Sequence, residues 1–133
     1  MLGSCLCKKV VYEVSQLDSA IQHCSCNSCR KAHASAFNSA ATVDTDHFRW
    51  LVGEAELRFY RSSVEKRRYF CGNCGTHLVA RLDGESFVIL RVATLDEDPM
   101  TRPERHIWKS QEAAWLRYGA AIPEFSEWAP DGA

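Results

Sequence analysis

Seven cysteines in three tight groups constrain this chain more than any other feature. The groups are Cys5-Leu6-Cys7, Cys24-Ser25-Cys26-Asn27-Ser28-Cys29 and Cys71-Gly72-Asn73-Cys74. Two thiols separated by two residues grip one ion from a single tight turn, and Gly72 and Gly75 give the third group the backbone freedom for it. A pair separated by one residue chelates where a strand bends or bulges. Two such pairs supply four thiolates, the number that closes a tetrahedral zinc site. The middle group offers three sulfurs from one loop and leaves a tetrahedral position free. Structural zinc sites are closed, whereas catalytic ones keep a position for water or substrate. Seven therefore divides as four plus three, although on spacing alone Cys7 or a histidine is an alternative ligand for the middle group.

The compartment decides how the thiols are read. The sequence opens MLGSCLCKKV, without the apolar core of a secretory signal, and carries no apolar run of membrane-spanning length. The expected location is the cytoplasm, where disulfides are rare and cysteine clusters are metal sites or reactive thiols. An isolated free cysteine is often just a small buried hydrophobe, but three groups at chelating spacing do not fit that pattern. A redox role for Cys71 and Cys74 would need the alternating strands and helices of a thioredoxin-like domain, which are missing here.

At 133 residues the chain suits one domain, expected over residues 1–128, with 129–133, including Pro130 and Gly132, a frayed tail. The net charge of −1 gives no global field to recruit nucleic acid or anionic lipid. The one basic run, Lys66-Arg67-Arg68, reads as an exposed strand face. Period-2 alternation predicts strands over Val10–Val14, Glu56–Arg61 and Arg67–Phe70. His77–Leu82 and Ser86–Val92 flank Asp83-Gly84, a dipeptide suited to a tight hairpin turn. Ile107-Trp108 extends a late strand. Ser28–Ala36 and Asp44–Leu51 are each expected to hold one or two helical turns, and Asp96–Pro99 a turn. The fold class is mainly β, largely antiparallel, with few short helical turns.

The strings GSCLCKKVVYEV, HCSCNSCRKAHASAF, FCGNCGTHL, HIW and IPEF resemble the glutathione-dependent formaldehyde-activating enzyme family, which includes centromere protein V. The resemblance runs from Gly3 to about Glu127. It implies the β-tent fold, short antiparallel sheets leaning together around zinc sites. It also implies the ligand sets: Cys5, Cys7, Cys71 and Cys74 for a structural zinc, and Cys24, Cys26 and Cys29 for a second, more labile zinc at the active site. Two positions depart from the family pattern. Lys8 follows the second cysteine and Ala34 follows His33, both where glycine is common, and neither removes a ligand.

The reaction the resemblance implies joins a small aldehyde such as formaldehyde to a thiol such as glutathione, a carbon–sulfur lyase step in reverse. It needs a thiolate and a positioned carbonyl. A zinc with three protein thiolates already carries net negative charge, so it polarises an aldehyde poorly but can hold an exchangeable fourth sulfur. The alternative is a non-catalytic zinc module binding glutathione or a protein. Arg30 and Lys31 follow the third ligand and either neutralise the site, meet substrate carboxylates or are solvated charges. His33 is a candidate proton carrier, set against a structural role; His23 and His77 are expected to hydrogen-bond around the clusters; His47 and His106 carry no signal of their own. Phe37, Trp108, Trp115 and Phe125 either wall a pocket or belong to the core.

Overall fold

The computed structural model describes residues 1–118 and 121–130. Ten strands follow in order: β1 (Leu2–Ser4), β2 (Val11–Val14), β3 (Ile21–Cys24), β4 (Asn38–Asp44), β5 (Phe48–Val52), β6 (Leu57–Arg61), β7 (Lys66–Cys71), β8 (His77–Leu82), β9 (Phe87–Arg91) and β10 (Pro103–Ile107). One α-helix, α1 (Asn27–His33), leaves β3, and five short 3-10 turns fill the connections. The chain is mainly β, as expected. No helix among the described residues is long and apolar enough to cross a membrane. Residues 131–133 of the expected tail lie outside the described residues.

Two sheets lean together. A three-stranded sheet runs β1-β2-β5, and a seven-stranded sheet runs β10-β3-β4-β9-β8-β7-β6. Every pairing is antiparallel except β10 against β3, where Ile107 stands opposite Cys24. Alternation sets which faces meet. On β2, Tyr12 and Val14 point inward, and Val43, Phe48, Leu78, Val88 and Leu90 close on them. The Tyr12 and Phe48 rings stack at 5.4 Å. The tyrosine hydroxyl reaches Thr94 Oγ1 at 2.7 Å, so its one polar group is satisfied. Gly3 lies against the Tyr12 ring so closely that any Cβ there would overlap it.

Several expectations need correction. The stretch Asp44–Leu51 holds a single 3-10 turn (Thr45–His47) and then strand β5, because Phe48 and Trp50 alternate with Arg49 and pack on β2. Asp83-Gly84 does form the centre of the expected turn between β8 and β9, closed by Glu85 N donating to Leu82 O at 3.2 Å, but Gly84 alone takes positive φ (82°). The late strand is Pro103–Ile107, and Trp108, with φ 59°, ends it. The helix of the middle group stops at His33 because Ala34 turns left-handed, with φ 47°. Asp96 and Glu97 form the expected bend.

Candidate metal centres and their surroundings

Two loops that lie far apart in sequence present the first sulfur set. After Cys5 the chain reverses through Lys8, whose φ of 60° is left-handed, and returns to hydrogen-bond Cys5 N to Val10 O at 3.0 Å. Cys71 ends β7, and Gly75, with φ 78°, folds back to donate to Cys71 O at 2.8 Å. The loops are stitched together where Leu6 N donates to Thr76 Oγ1 at 3.1 Å and Lys9 Nζ to Asn73 Oδ1 at 3.3 Å. The ligand atoms of Cys5, Cys7, Cys71 and Cys74 all lie within 4.8 Å of one another. Cys5–Cys7 and Cys7–Cys71 sulfur separations are 3.6 and 3.9 Å. A tetrahedron with zinc–sulfur bonds of about 2.3 Å has edges of about 3.8 Å, so the spacing fits that metal. Cys5 and Cys71 are also members of the apolar core.

These sulfurs differ in their ease of deprotonation. Burial pushes the Cys5 thiol up to about 11, whereas the Thr76 hydroxyl, 3.2 Å away, holds Cys74 down at about 5.

The second set comes from one short segment. Cys24 is the last residue of β3, Cys26 caps α1 and Cys29 lies one turn into it, 4% exposed. Cys26 Sγ accepts the Cys29 backbone N–H at 3.3 Å, which holds the sulfur toward the helix. The three sulfurs again fall within 4.8 Å of one another. Among the described residues no histidine joins either cysteine cluster. A further acidic group, Asp18, Asp44 and His47, is exposed and already engaged, with Asp18 accepting from Gln16, His47 and Asp44 N.

What surrounds the second set was not foreseen. Ser25, fully buried, donates its backbone N–H to Ile107 O and places its hydroxyl 2.6 Å from His106 Nε2. Strand β10 thereby holds the cysteine loop from behind, and His106, silent in the sequence, is its polar contact. Arg68 and Arg91 are each 3% exposed. Arg68 Nη1 lies 4.0 Å from Cys29 Sγ. Lys66-Arg67-Arg68 is therefore not an exposed face: Lys66 and Arg68 share the inward side of β7, and Arg68 is buried. Arg91 is drawn down by burial to about 10 and stays a cation at neutral pH.

The remaining candidates divide. His23 hydrogen-bonds Ser39 Oγ through Nδ1 at 2.8 Å, outside the ligand set, as expected. His77 leaves Nδ1 unpartnered and packs on His33 at 5.0 Å and Phe70 at 5.4 Å. His33 has no partner at Nε2, and burial with the Arg91 charge pushes it down to about 3, so it is neutral near pH 7. It therefore does not hold the second proton of an imidazolium near neutral pH. A cavity of about 450 Å³ opens beside the second set, lined by Asn27, Lys31, Tyr60, Arg68, Phe70 and His77. Phe37 lines another with His33, His77 and Arg91, and Trp115 lines a third with Arg30 and Lys31. Trp108 and Phe125 stand more than half exposed and are not core.

Comparison with known proteins agrees with this geometry. The family model "Glutathione-dependent formaldehyde-activating enzyme" matches residues 1–111. A Podospora anserina protein named "Putative glutathione-dependent formaldehyde-activating enzyme" is 30% identical over 84 residues, which are 61% of this chain and 39% of that protein. The chain thus spans about two fifths of the length of that curated relative. A Rhodobacter sphaeroides protein of known crystal structure has a TM-score of 0.65 at 24% identity, covering 80% of this chain and 99% of that one. That likeness speaks for the fold alone.

Proposed function

The chain belongs to the glutathione-dependent formaldehyde-activating enzyme family, and from that premise we propose that it is a zinc-dependent carbon–sulfur lyase, joining a small aldehyde to a glutathione-like thiol. Residues 1–128 act as one unit in this reading, in the cytoplasm. Cys5, Cys7, Cys71 and Cys74 hold a structural zinc, and Cys24, Cys26 and Cys29 hold the zinc of the active site. The observation that carries it is the contrast in completeness: four converging sulfurs built into the core, and three converging sulfurs beside a cavity.

Zinc at the three-cysteine set supplies a seat on which a thiol is held deprotonated. The chain's own groups do the rest. The Cys26 cap and the Ser25–His106 contact fix the three sulfurs, so the incoming thiol meets a preformed face. Lys31, exposed at the cavity, and Arg30 beside it meet the carboxylates of a glutathione-like substrate. The substrate sulfur attacks the aldehyde carbon and forms the carbon–sulfur bond. The carbonyl π electrons move to oxygen, which takes a proton from water at the cavity mouth. Holding sulfur and carbonyl in one cavity replaces an encounter in solution with a positioned one.

Metal content per chain with and without glutathione, followed by a formaldehyde–glutathione adduct assay corrected for the spontaneous reaction, tests this. Two zincs per chain and an adduct rate above background, lost in Cys26→Ser, are expected. A rate equal to background replaces the enzyme with the non-catalytic zinc module.

A further inference from the structure

The three-cysteine set is surrounded by cations that no carboxylate balances. Among the described residues, the ion-paired arginines are Arg49, Arg61, Arg67 and Arg117; Arg68 and Arg91, the buried ones, are not among them. Arg68 donates Nε to Ser62 Oγ at 2.9 Å and turns Nη1 toward Cys29. Arg91 leaves Nε and Nη2 without any partner. Burying a guanidinium with no counter-charge is among the costliest things a fold can do. The groups that act on Arg91 as counter-charges, once they are thiolates, are Cys29, Cys24 and Cys26. Every other titratable group there is a cation or is held neutral: Lys66 is a cation under the influence of Cys29 and Cys26, and His33 and His77 are both pushed toward the uncharged imidazole. The four-cysteine set is different, since its sulfurs have sulfur, hydroxyl and backbone partners and no guanidinium.

A count of charges gives this asymmetry a meaning. A divalent zinc with three thiolates carries one net negative charge, and two guanidiniums add two positive ones. With a neutral donor in the fourth position the buried assembly is left positive. With an anion there the two guanidinium charges are balanced, and only the partly buried Lys66 ammonium is left over. We propose that Arg68 and Arg91 make the fourth position of the Cys24–Cys26–Cys29 site an anion position, taken by a deprotonated thiol or another small anion in preference to any neutral donor. The inference rests on the zinc reading given above and adds a rule of selection to it. Thiol capture then breaks the S–H bond, the proton leaves to water, and the sulfur lone pair displaces a neutral donor. A carbonyl oxygen, being neutral, does not compete. The thiol therefore binds first, and the aldehyde meets it from the cavity.

Protein loaded with cobalt(II) at both cysteine sets reports the fourth ligand through its visible absorption. Separate titrations with azide, 2-mercaptoethanol and imidazole compare two anionic ligands with a neutral one. Arg91→Gln and Arg68→Gln are each expected to weaken azide and 2-mercaptoethanol by about tenfold or more, with imidazole within about twofold of wild type or tighter. Arg91→Lys, which keeps the charge, is expected to retain most of the anion affinity. Equal losses for azide and imidazole, or no loss for either, overturn the proposal. Should a glutamine variant lose the bands of the four-cysteine set and so fail to fold, Arg91→Lys and the other glutamine variant decide by the same ratio. Wild type that takes up one cobalt per chain, at the four-cysteine set only, overturns the metal reading and the proposal together; two cobalts with an unchanged anion-to-imidazole ratio in the variants overturns the proposal alone.

Discussion

The two cysteine sets use the same ligand atom and are built in opposite ways. The four-cysteine set joins segments 64 or more residues apart in sequence, Cys7 to Cys71, and Cys5 and Cys71 are embedded in the core. The three-cysteine set comes from one loop and half a turn of helix, backed by a single strand and faced by buried positive charge. One arrangement closes a long loop and contributes to the fold; the other is local and spends its surroundings on electrostatics. Ligand number is the lesser difference. In the proposed reading, what separates a structural metal from a working one is what the chain places around it.

The largest expected effect breaks or keeps that contrast outright. Structural zinc contributes about 10–16 kcal/mol in small zinc domains, and a chain of this length is stable by about 7–20 kcal/mol at ordinary per-residue values. Cys71→Ser is therefore expected to lose soluble folded protein, while Cys26→Ser folds and retains about one zinc per chain, as read by soluble yield and metal analysis. Equal collapse of both variants would erase the distinction. A chelator titration is expected to show two steps, with the three-cysteine set emptied first because it has fewer ligands and an open side; one common step would argue that the sites are a single unit. Next in size, Ser25→Ala removes the hydroxyl at His106. It is expected to lower metal affinity at the three-cysteine set about 10–100-fold with little effect on the other set, measured by competition with a coloured indicator. The smallest effect concerns the backbone. Ala34→Gly and Lys8→Gly relieve left-handed residues and are each expected to raise unfolding stability by about 0.5–1 kcal/mol in denaturant melts.

Much of this was legible in the sequence, and the gaps have physical causes. Strands β6 and β7 announce themselves by short runs of bulky apolar and charged residues, β8 and β9 by apolar runs on either side of Asp83-Gly84, and the cysteine groups by chelating spacing. Strand β4, Asn38-Ser-Ala-Ala-Thr-Val-Asp, does not, because its small and polar residues have little intrinsic preference for a pleated surface. It is a strand because β3 and β9 pair with it on either side. Strand β1 has three residues and β3 four, too short for a period to show. Arg68 and Arg91 were unreadable for a different reason. An arginine in a strand is expected to face water, and only the lean of the sheets toward the three-cysteine loop makes one side of β7 an interior. Lys8 and Ala34 did carry a signal: at both positions the family favours glycine, and at both the backbone is left-handed.

Strand β7 has a consequence for assembly. It carries Arg68 in its middle and Cys71 at its end, three residues apart on one strand, with a register shift against β8 between Tyr69 and Phe70. Whatever fixes Cys71 also fixes the register that delivers the guanidinium to Cys29. In the proposed reading loading has an order: the core set fills first and sets the strand, and the local set then acquires the electrostatic surroundings that suit it. A pulse of limiting metal followed by native mass spectrometry is expected to show singly loaded protein with the three-cysteine thiols still open to alkylation.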